Sequence, residues 1–312
     1  MFKWQGRIDS EDGSRGLRWH QVIDHDDHLK HPKSVALVGL ACDLGVQANK
    51  GRVGAVDGPN SIRAALANLP WHWDAALADL GDSHAKHDLA SVQNDYAAKV
   101  TEGLAHHSLV IGLGGGHEIG WGSYLGLEAA LANKQQRIGI INFDAHFDLR
   151  RPAPDTSSGT PFRQVAEHRQ QHGLPFDYAC LGVSKAANTP ALFDFAAASG
   201  TRFLFDHQCQ MDAAVTLLAP MLRDIDELYV TICLDAFPAA IAPGVSAPSA
   251  LGISPQFVIT MLDWLAAQQS RLNYRWRLCD IAEMNPRYDS DNRTAKLAAR
   301  LAFETVDALI GK

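Results

Sequence analysis

Four short segments of the chain carry side chains able to hold a metal ion. Gly114-Gly115-Gly116-His117-Glu118 follows directly on the apolar run SLVIGLG (108–114), and Asp144-Ala-His146-Phe-Asp148 closes RIGIINFD (137–144). Cys233 and Asp235 close ELYVTICLD (227–235), and Asp280 and Glu283 lie near the end of YRWRLCDIAEM (274–284). Asp144, His146 and Asp148 alternate, so in an extended segment their side chains leave on one face. Burying three such groups unpaired is unfavourable, and a divalent cation removes the penalty. Mixed carboxylate and imidazole ligands suit a hard or borderline ion such as manganese better than a thiolate-type zinc centre. The ligands suffice for two ions sharing carboxylates, and a pair about 3.5–4 Å apart can activate a bridging water for hydrolysis.

Competing chemistries fit less well. Counted from Gly112, a G-x-G-x-x-G phosphate turn would need glycine where His117 stands. There is no G-x-S-x-G elbow and no H-E-x-x-H pair, which weakens serine-hydrolase and zinc-protease readings. Asp24, His25, Asp26, Asp27, His28 and His31 form another acid and histidine cluster, but in a polar stretch without strands. They read as a solvated surface.

The elements that must position these ligands alternate. Further β-rich runs span 34–42, 177–183 and 201–206, with a weaker one at 75–82, and stretches of helical spacing cover 59–68, 90–105, 117–133, 211–224, 254–269 and 292–310. Strands alternating with helices predict an α/β fold, a sheet mainly parallel with helices on both faces. Several strands are apolar at nearly every position, as burial of both faces requires. In such sheets ligands bind outside the carboxyl ends of the strands, where the polar segments fall. Residues 1–33, charged and rich in histidine, read as an N-terminal arm on the surface, and 34–312 as a single catalytic domain.

Composition narrows the partners. The 312 residues are 46% hydrophobic and 20% charged, with 35 acidic against 28 basic side chains, which disfavours nucleic acid as a partner. No apolar run approaches the roughly 18 residues of a membrane span. The polar start lacks the apolar core of a signal peptide. Five scattered cysteines predict reduced thiols buried in a cytoplasmic protein rather than a disulfide framework.

In their order, GGGHE, DAHFD, the LD…APG segment and the E-x-NP ending resemble the ureohydrolase family of arginase and agmatinase, from about residue 34 to the C-terminus and including GRVGAVDGPNSIR (51–63). WQGRIDSEDG, LRWHQV, SSGTPFRQV (157–165) and PAAIAPGVSAP (238–248) are most similar to its formimidoylglutamase branch. The resemblance implies a three-layer α/β/α sandwich, a binuclear manganese centre and a homo-oligomer. It implies hydrolysis of N-formimidoyl-L-glutamate to L-glutamate and formamide in histidine degradation, by a metal-bound hydroxide. Carried over by position, His117, Asp144, His146, Asp148 and Asp235 are metal ligands, Asp148 also orients the nucleophile, and Glu283 faces the substrate amidine. Arg150 is expected to clamp a substrate carboxylate, with Arg163 and Arg52 as helpers.

Two departures stand out. Arginases carry a histidine with a proton-relay role where this chain has Ser158, a residue that cannot shuttle protons as imidazole does. The formimidoylglutamase branch shares the SGTPF form, so Ser158 argues for substrate class. Where the family has Asp-x-Asp, this chain has Cys233-Leu-Asp235, so a thiol replaces the bridging carboxylate, with weaker manganese binding or loss of one ion as the expected consequence. The rival readings are a hydrolase of agmatine, guanidinobutyrate or arginine, and a metal-poor relative that binds without turnover. Arg150 and Arg163 count against the cationic substrate agmatine.

Overall fold

The structure, a computed structural model, describes residues 2–23, 31–84 and 88–311. Each β-rich run forms a strand: β1 (Ser34–Ala41), β2 (Ala76–His84), β3 (Leu109–Gly114), β4 (Ile138–Phe143), β5 (Asp177–Val183), β6 (Arg202–Phe205), β7 (Glu227–Cys233) and β8 (Arg275–Ala282). They join one sheet in the order β2-β1-β3-β8-β7-β4-β5-β6, with every pairing parallel.

Sequence pattern follows position in the sheet. β1, β3, β4, β5 and β7 are buried at every residue, as their continuous apolar character requires, whereas the edge strands β2 and β6 are partly exposed. On one face, helices Gly58–Leu66, Met211–Leu222, Pro255–Leu272 and Arg293–Ile310 bring Ile62, Met221, Val258 and Leu301 to Leu37 and Val230. On the other, helices Leu89–His106, Ile119–Ala129, Pro161–Gln171 and Pro190–Ala198 bring Val92, Tyr124, Phe162 and Leu192 to Val38 and Val110. Two cores with the sheet between them make the three-layer α/β/α sandwich.

Helices Pro161–Gln171 and Pro190–Ala198 are additional to those predicted. Each begins with proline at its first helical position, a start signal that does not depend on apolar spacing. The first is largely polar and the second apolar except for Asp194, so neither shows a clear stripe.

The N-terminal arm lies along the surface but is anchored by a few side chains. Trp19 is fully buried, edge-on to Trp71 and Trp73 at centroid distances of 5.2 and 6.2 Å. Ile23 bridges Leu77 in parallel and the Trp4 indole donates to Asp79 Oδ2 at 2.9 Å, so the arm is fastened beside edge strand β2. Its few anchoring aromatics are too widely spaced to show periodicity. Of the polar cluster, Asp24, His25, Asp26, Asp27 and His28 lie outside the described residues, and His31 pairs with Asp74 at 3.2 Å. All five cysteines are free and buried. Among the described residues no helix is long and apolar enough to cross a membrane.

Candidate metal centre and active site

β3, β8, β7 and β4 are neighbours, so their carboxyl ends form one rim. After β3 the chain turns through three glycines packed against the loop after β1. Gly115 N donates to Leu40 O at 2.9 Å and Gly116 N to Cys42 O at 3.1 Å. A Cβ on Gly115 would lie 1.9 Å from Cys42 O, so only glycine permits this approach. The turn delivers His117, whose backbone N–H donates to Glu283 Oε1 at 2.9 Å.

The ligands of the second segment do not converge as an alternating strand. β4 ends at Phe143, and the chain bends through 144–148, with Asp148 at a φ of 49°. Asn188, unremarkable in the sequence, holds this bend: its Oδ1 accepts from Phe147 N at 3.0 Å and its Nδ2 donates to Ala145 O at 2.9 Å. Cys233 is the last residue of β7, Asp235 lies in the following 3-10 turn, and Glu283 stands just beyond β8 with a φ of 69°. Left-handed backbone at two non-glycine site residues is the kind of strain that gathers at functional sites.

These segments build two sets of ligands that share a carboxylate. His117, Asp144 and Cys233 present ligand atoms all within 4.8 Å of one another, as do Asp144, His146 and Asp235. Asp148 joins the first set, its Oδ2 2.9 Å from His117 Nδ1.

The electrostatics of this set call for a cation. Thr231 Oγ1 donates to Asp280 Oδ1 at 2.5 Å and is 3.0 Å from His117 Nε2, so it accepts the Nε2 proton. The remaining nitrogen, Nδ1, faces Asp144 Oδ2 at 3.0 Å and Asp148 Oδ2 at 2.9 Å without making a hydrogen bond. A lone pair facing two carboxylates is repulsive until a proton or a metal ion enters. Against burial, these two aspartates raise the pKa of His117, and Asp235 and Asp144 do the same for His146. Burial and then Asp144 push Asp235 up to about 6, and burial and then Asp235 push Glu283 up to about 8. Burial and Asp144 also raise the Cys233 thiol. Asp235 Oδ1 and Glu283 Oε2 are buried without a hydrogen-bond partner. Four carboxylates, a thiol and two imidazoles with unused acceptors are a donor set that fits two divalent ions.

A cavity of about 280 Å³ opens over this centre. His117, His146, Asp148, Cys233, Asp235 and Glu283 line it, with Asp144 buried beneath. Arg150 and Ser158 line its walls, and the Ser158 hydroxyl accepts from Asn49 Nδ2 at 3.3 Å. The two expected helpers are otherwise engaged. Arg52 lines the cavity, but its guanidinium donates to Ser246 O at 3.1 Å and Val245 O at 2.5 Å and stacks 3.9 Å over Tyr288. Arg163 does not line it: the side chain pairs with Glu167 at 2.6 Å and lies 3.6 Å over Phe195.

Thr231, two residues before Cys233 on β7, is a site residue that the ligand motifs do not include. Asp280 beneath it accepts from Ser123, Tyr229 and Thr231, a buried relay that fixes the imidazole of His117. The spacing of Thr231 and Cys233 at the end of β7 is the signal that could have found it, since alternate strand residues share a face.

The sequence model of the arginase family matches residues 33–307. Formimidoylglutamase of Vibrio vulnificus is 46% identical, with 100% of this chain and 96% of the relative covered. That of Hahella chejuensis is 47% identical, with 99% and 95% covered. Among solved structures, formiminoglutamase of Trypanosoma cruzi with Mn2+2 superposes with a TM-score of 0.81 at 22% identity, covering 94% of this chain and 98% of that one. Formimidoylglutamase of Bacillus subtilis superposes with a TM-score of 0.82 at 18% identity, covering 97% and 94%. The chain belongs to the arginase family.

Proposed function

We propose that the protein is a manganese-dependent formimidoylglutamase, hydrolysing N-formimidoyl-L-glutamate to L-glutamate and formamide. The observation that carries this reading is the pair of ligand sets joined through Asp144 beneath a cavity with an acidic floor and basic side chains on its walls. The likeness to formimidoylglutamases over the full chain supports the substrate. When bound, the two manganese ions would supply a water whose pKa falls toward neutrality. His117, Asp144, Asp148 and Cys233 would hold one ion, and Asp144, His146 and Asp235 the other.

The chain's own residues then perform the rest. Glu283 Oε1 is committed to the His117 backbone, which leaves Oε2 to accept from the amidine N–H groups of the substrate. A cationic amidine reverses the environment that raises Glu283 and holds it ionised as the carbon becomes tetrahedral. Asp148 takes a proton from the attacking water and passes it to the glutamate nitrogen as the C–N bond breaks. Arg150 pairs with a substrate carboxylate, a geometry the planar guanidinium suits.

The reading extends to histidine breakdown in the cytoplasm, with which five free thiols agree, to a homo-oligomer, and to a catalytic unit of 34–312 with residues 1–33 as its arm. Manganese-loaded protein is expected to release glutamate and formamide from N-formimidoyl-L-glutamate and to leave agmatine and arginine intact. Absence of turnover with two ions bound per chain would exclude it.

A further inference from the structure

We infer that Lys50 is a specificity-determining residue that binds the side-chain carboxylate of the substrate, leaving the carboxylate next to the scissile nitrogen to Arg150. The inference deepens the proposed function and rests on it. N-formimidoyl-L-glutamate carries one amidine and two carboxylates, so a cavity built for it needs an acidic end and two separate cations. Asp148, Asp235 and Glu283 supply the acidic end. Among the described residues, three basic side chains other than histidine line the cavity: Lys50, Arg52 and Arg150. Arg52 is bound to the carbonyls of Val245 and Ser246 and stacked on Tyr288, which leaves Lys50 and Arg150.

Lys50 is presented from a firm base. It follows helix Leu44–Ala48 with a left-handed φ of 61°, a conformation that side chains other than glycine rarely adopt. Its neighbours are fastened on both sides. Asn49 donates to Ser158 at 3.3 Å, Gly51 N to Val46 O at 2.9 Å, and Arg52 N to Ser246 Oγ at 3.1 Å. Among the described residues the Lys50 ammonium has no hydrogen bond and no ion pair, and the residue lines the cavity as an exposed, uncommitted cation.

The division between the two cations follows from where they start. Arg150 is two residues beyond Asp148, and its stem packs on Gly159, where a Cβ would come within 2.7 Å of Arg150 Cδ. It therefore meets the carboxylate nearer the reacting carbon. Lys50 belongs to the loop after β1, a segment without ligands, and meets the distal one.

The test is a pairing of variant with substrate. Lys50→Met is expected to raise KM for N-formimidoyl-L-glutamate about 30-fold, the loss of one charged hydrogen bond, with kcat changed less than about threefold. Wild type is expected to lose about the same factor on N-formimidoyl-L-glutamine, whose distal group is neutral, and Lys50→Met to lose nothing further there. Lys50→Arg should recover most of the KM. Arg150→Met should weaken both substrates alike. Calorimetry with L-glutamate and L-glutamine should show the same pairing without turnover. An unchanged KM in Lys50→Met, or an equal loss on both substrates, overturns the assignment while the proposed activity stands. No turnover by the manganese-loaded wild type overturns both.

Discussion

At the edge of the sheet and at its centre, the fold buries charge in two different ways. Beside β2, Arg63 is fully buried, and its guanidinium meets Asp79 at 2.8 and 2.9 Å and Asp82 at 2.5 Å. Asp79 also accepts from Trp4 and from Gly81 N, so every oxygen in that carboxylate is used. At the ends of β3, β4, β7 and β8, four carboxylates and a thiol face two imidazoles, and oxygens on Asp235 and Glu283 have no donor. The first cluster satisfies its hydrogen bonds with groups of the chain. The second is complete only with something from outside. A buried polar cluster that satisfies itself holds the fold, and one with a surplus of acceptors marks where the fold receives a ligand.

The comparison can be broken from the Arg63 side. Arg63→Met leaves the buried Asp79 and the partly buried Asp82 without their cation and is expected to destabilise the protein by about 3–5 kcal/mol, measured by denaturant unfolding with or without manganese. A loss below about 1 kcal/mol would mean that Asp79 and Asp82 are satisfied by other groups.

The central cluster should respond to pH instead. Asp235 at about 6 and Glu283 at about 8 hold protons in the folded state that the unfolded chain releases. Their contribution is present below the unfolded carboxylate pKa values and is lost as pH rises through 6 and then 8. The raised His117 and His146 act in the same direction above their ordinary pKa. Chelated protein is therefore expected to be less stable at about pH 8 than at about pH 5, by a few kcal/mol in order of magnitude. Manganese displaces those protons, so its binding tightens with pH and the slope reverses. Parallel melts in chelator and in manganese would show both slopes, and equal slopes would remove the ion from the cluster.

The smallest expected effect concerns Cys233. Cys233→Asp adds a fifth carboxylate, lowers the stability of the chelated form and strengthens manganese binding about tenfold, ~1.4 kcal/mol. Unchanged stoichiometry and affinity in a metal titration would show that the thiol is only a neighbour.

Much of this was legible before the fold was known, for reasons that differ by element. The central strands announced themselves because parallel strands covered on both faces must be apolar throughout, while β2, half exposed at the edge, gave the weaker run. Asp144, His146, Asp148, Asp235 and Glu283 could be picked out because ionisable residues directly after buried strands are costly to keep there unless they bind something, whereas His117, alone after its glycines, was marked as a ligand by the family resemblance. Their convergence was harder to read, since it depends on the bend held by Asn188 and on left-handed backbone at Asp148 and Glu283. Arg52 and Lys50 show the limit. By residue type Arg52 was the better anion ligand, and only the carbonyls of Val245 and Ser246, remote in sequence, reveal that its donors are taken.

The glycine turn after β3 separates what the protein can change from what it cannot. His117 is positioned by main-chain atoms: the carbonyls of Leu40 and Cys42 hold Gly115 and Gly116, and Gly115 O accepts from Glu283 N. Those groups are the same whatever side chains surround them. Core residues away from Thr231 and Asp280, which orient the ring itself, are thus free to drift over generations without moving the backbone that carries the imidazole. The glycines have no such freedom, because a single methyl group would part the two strands at the point where the chemistry is assembled.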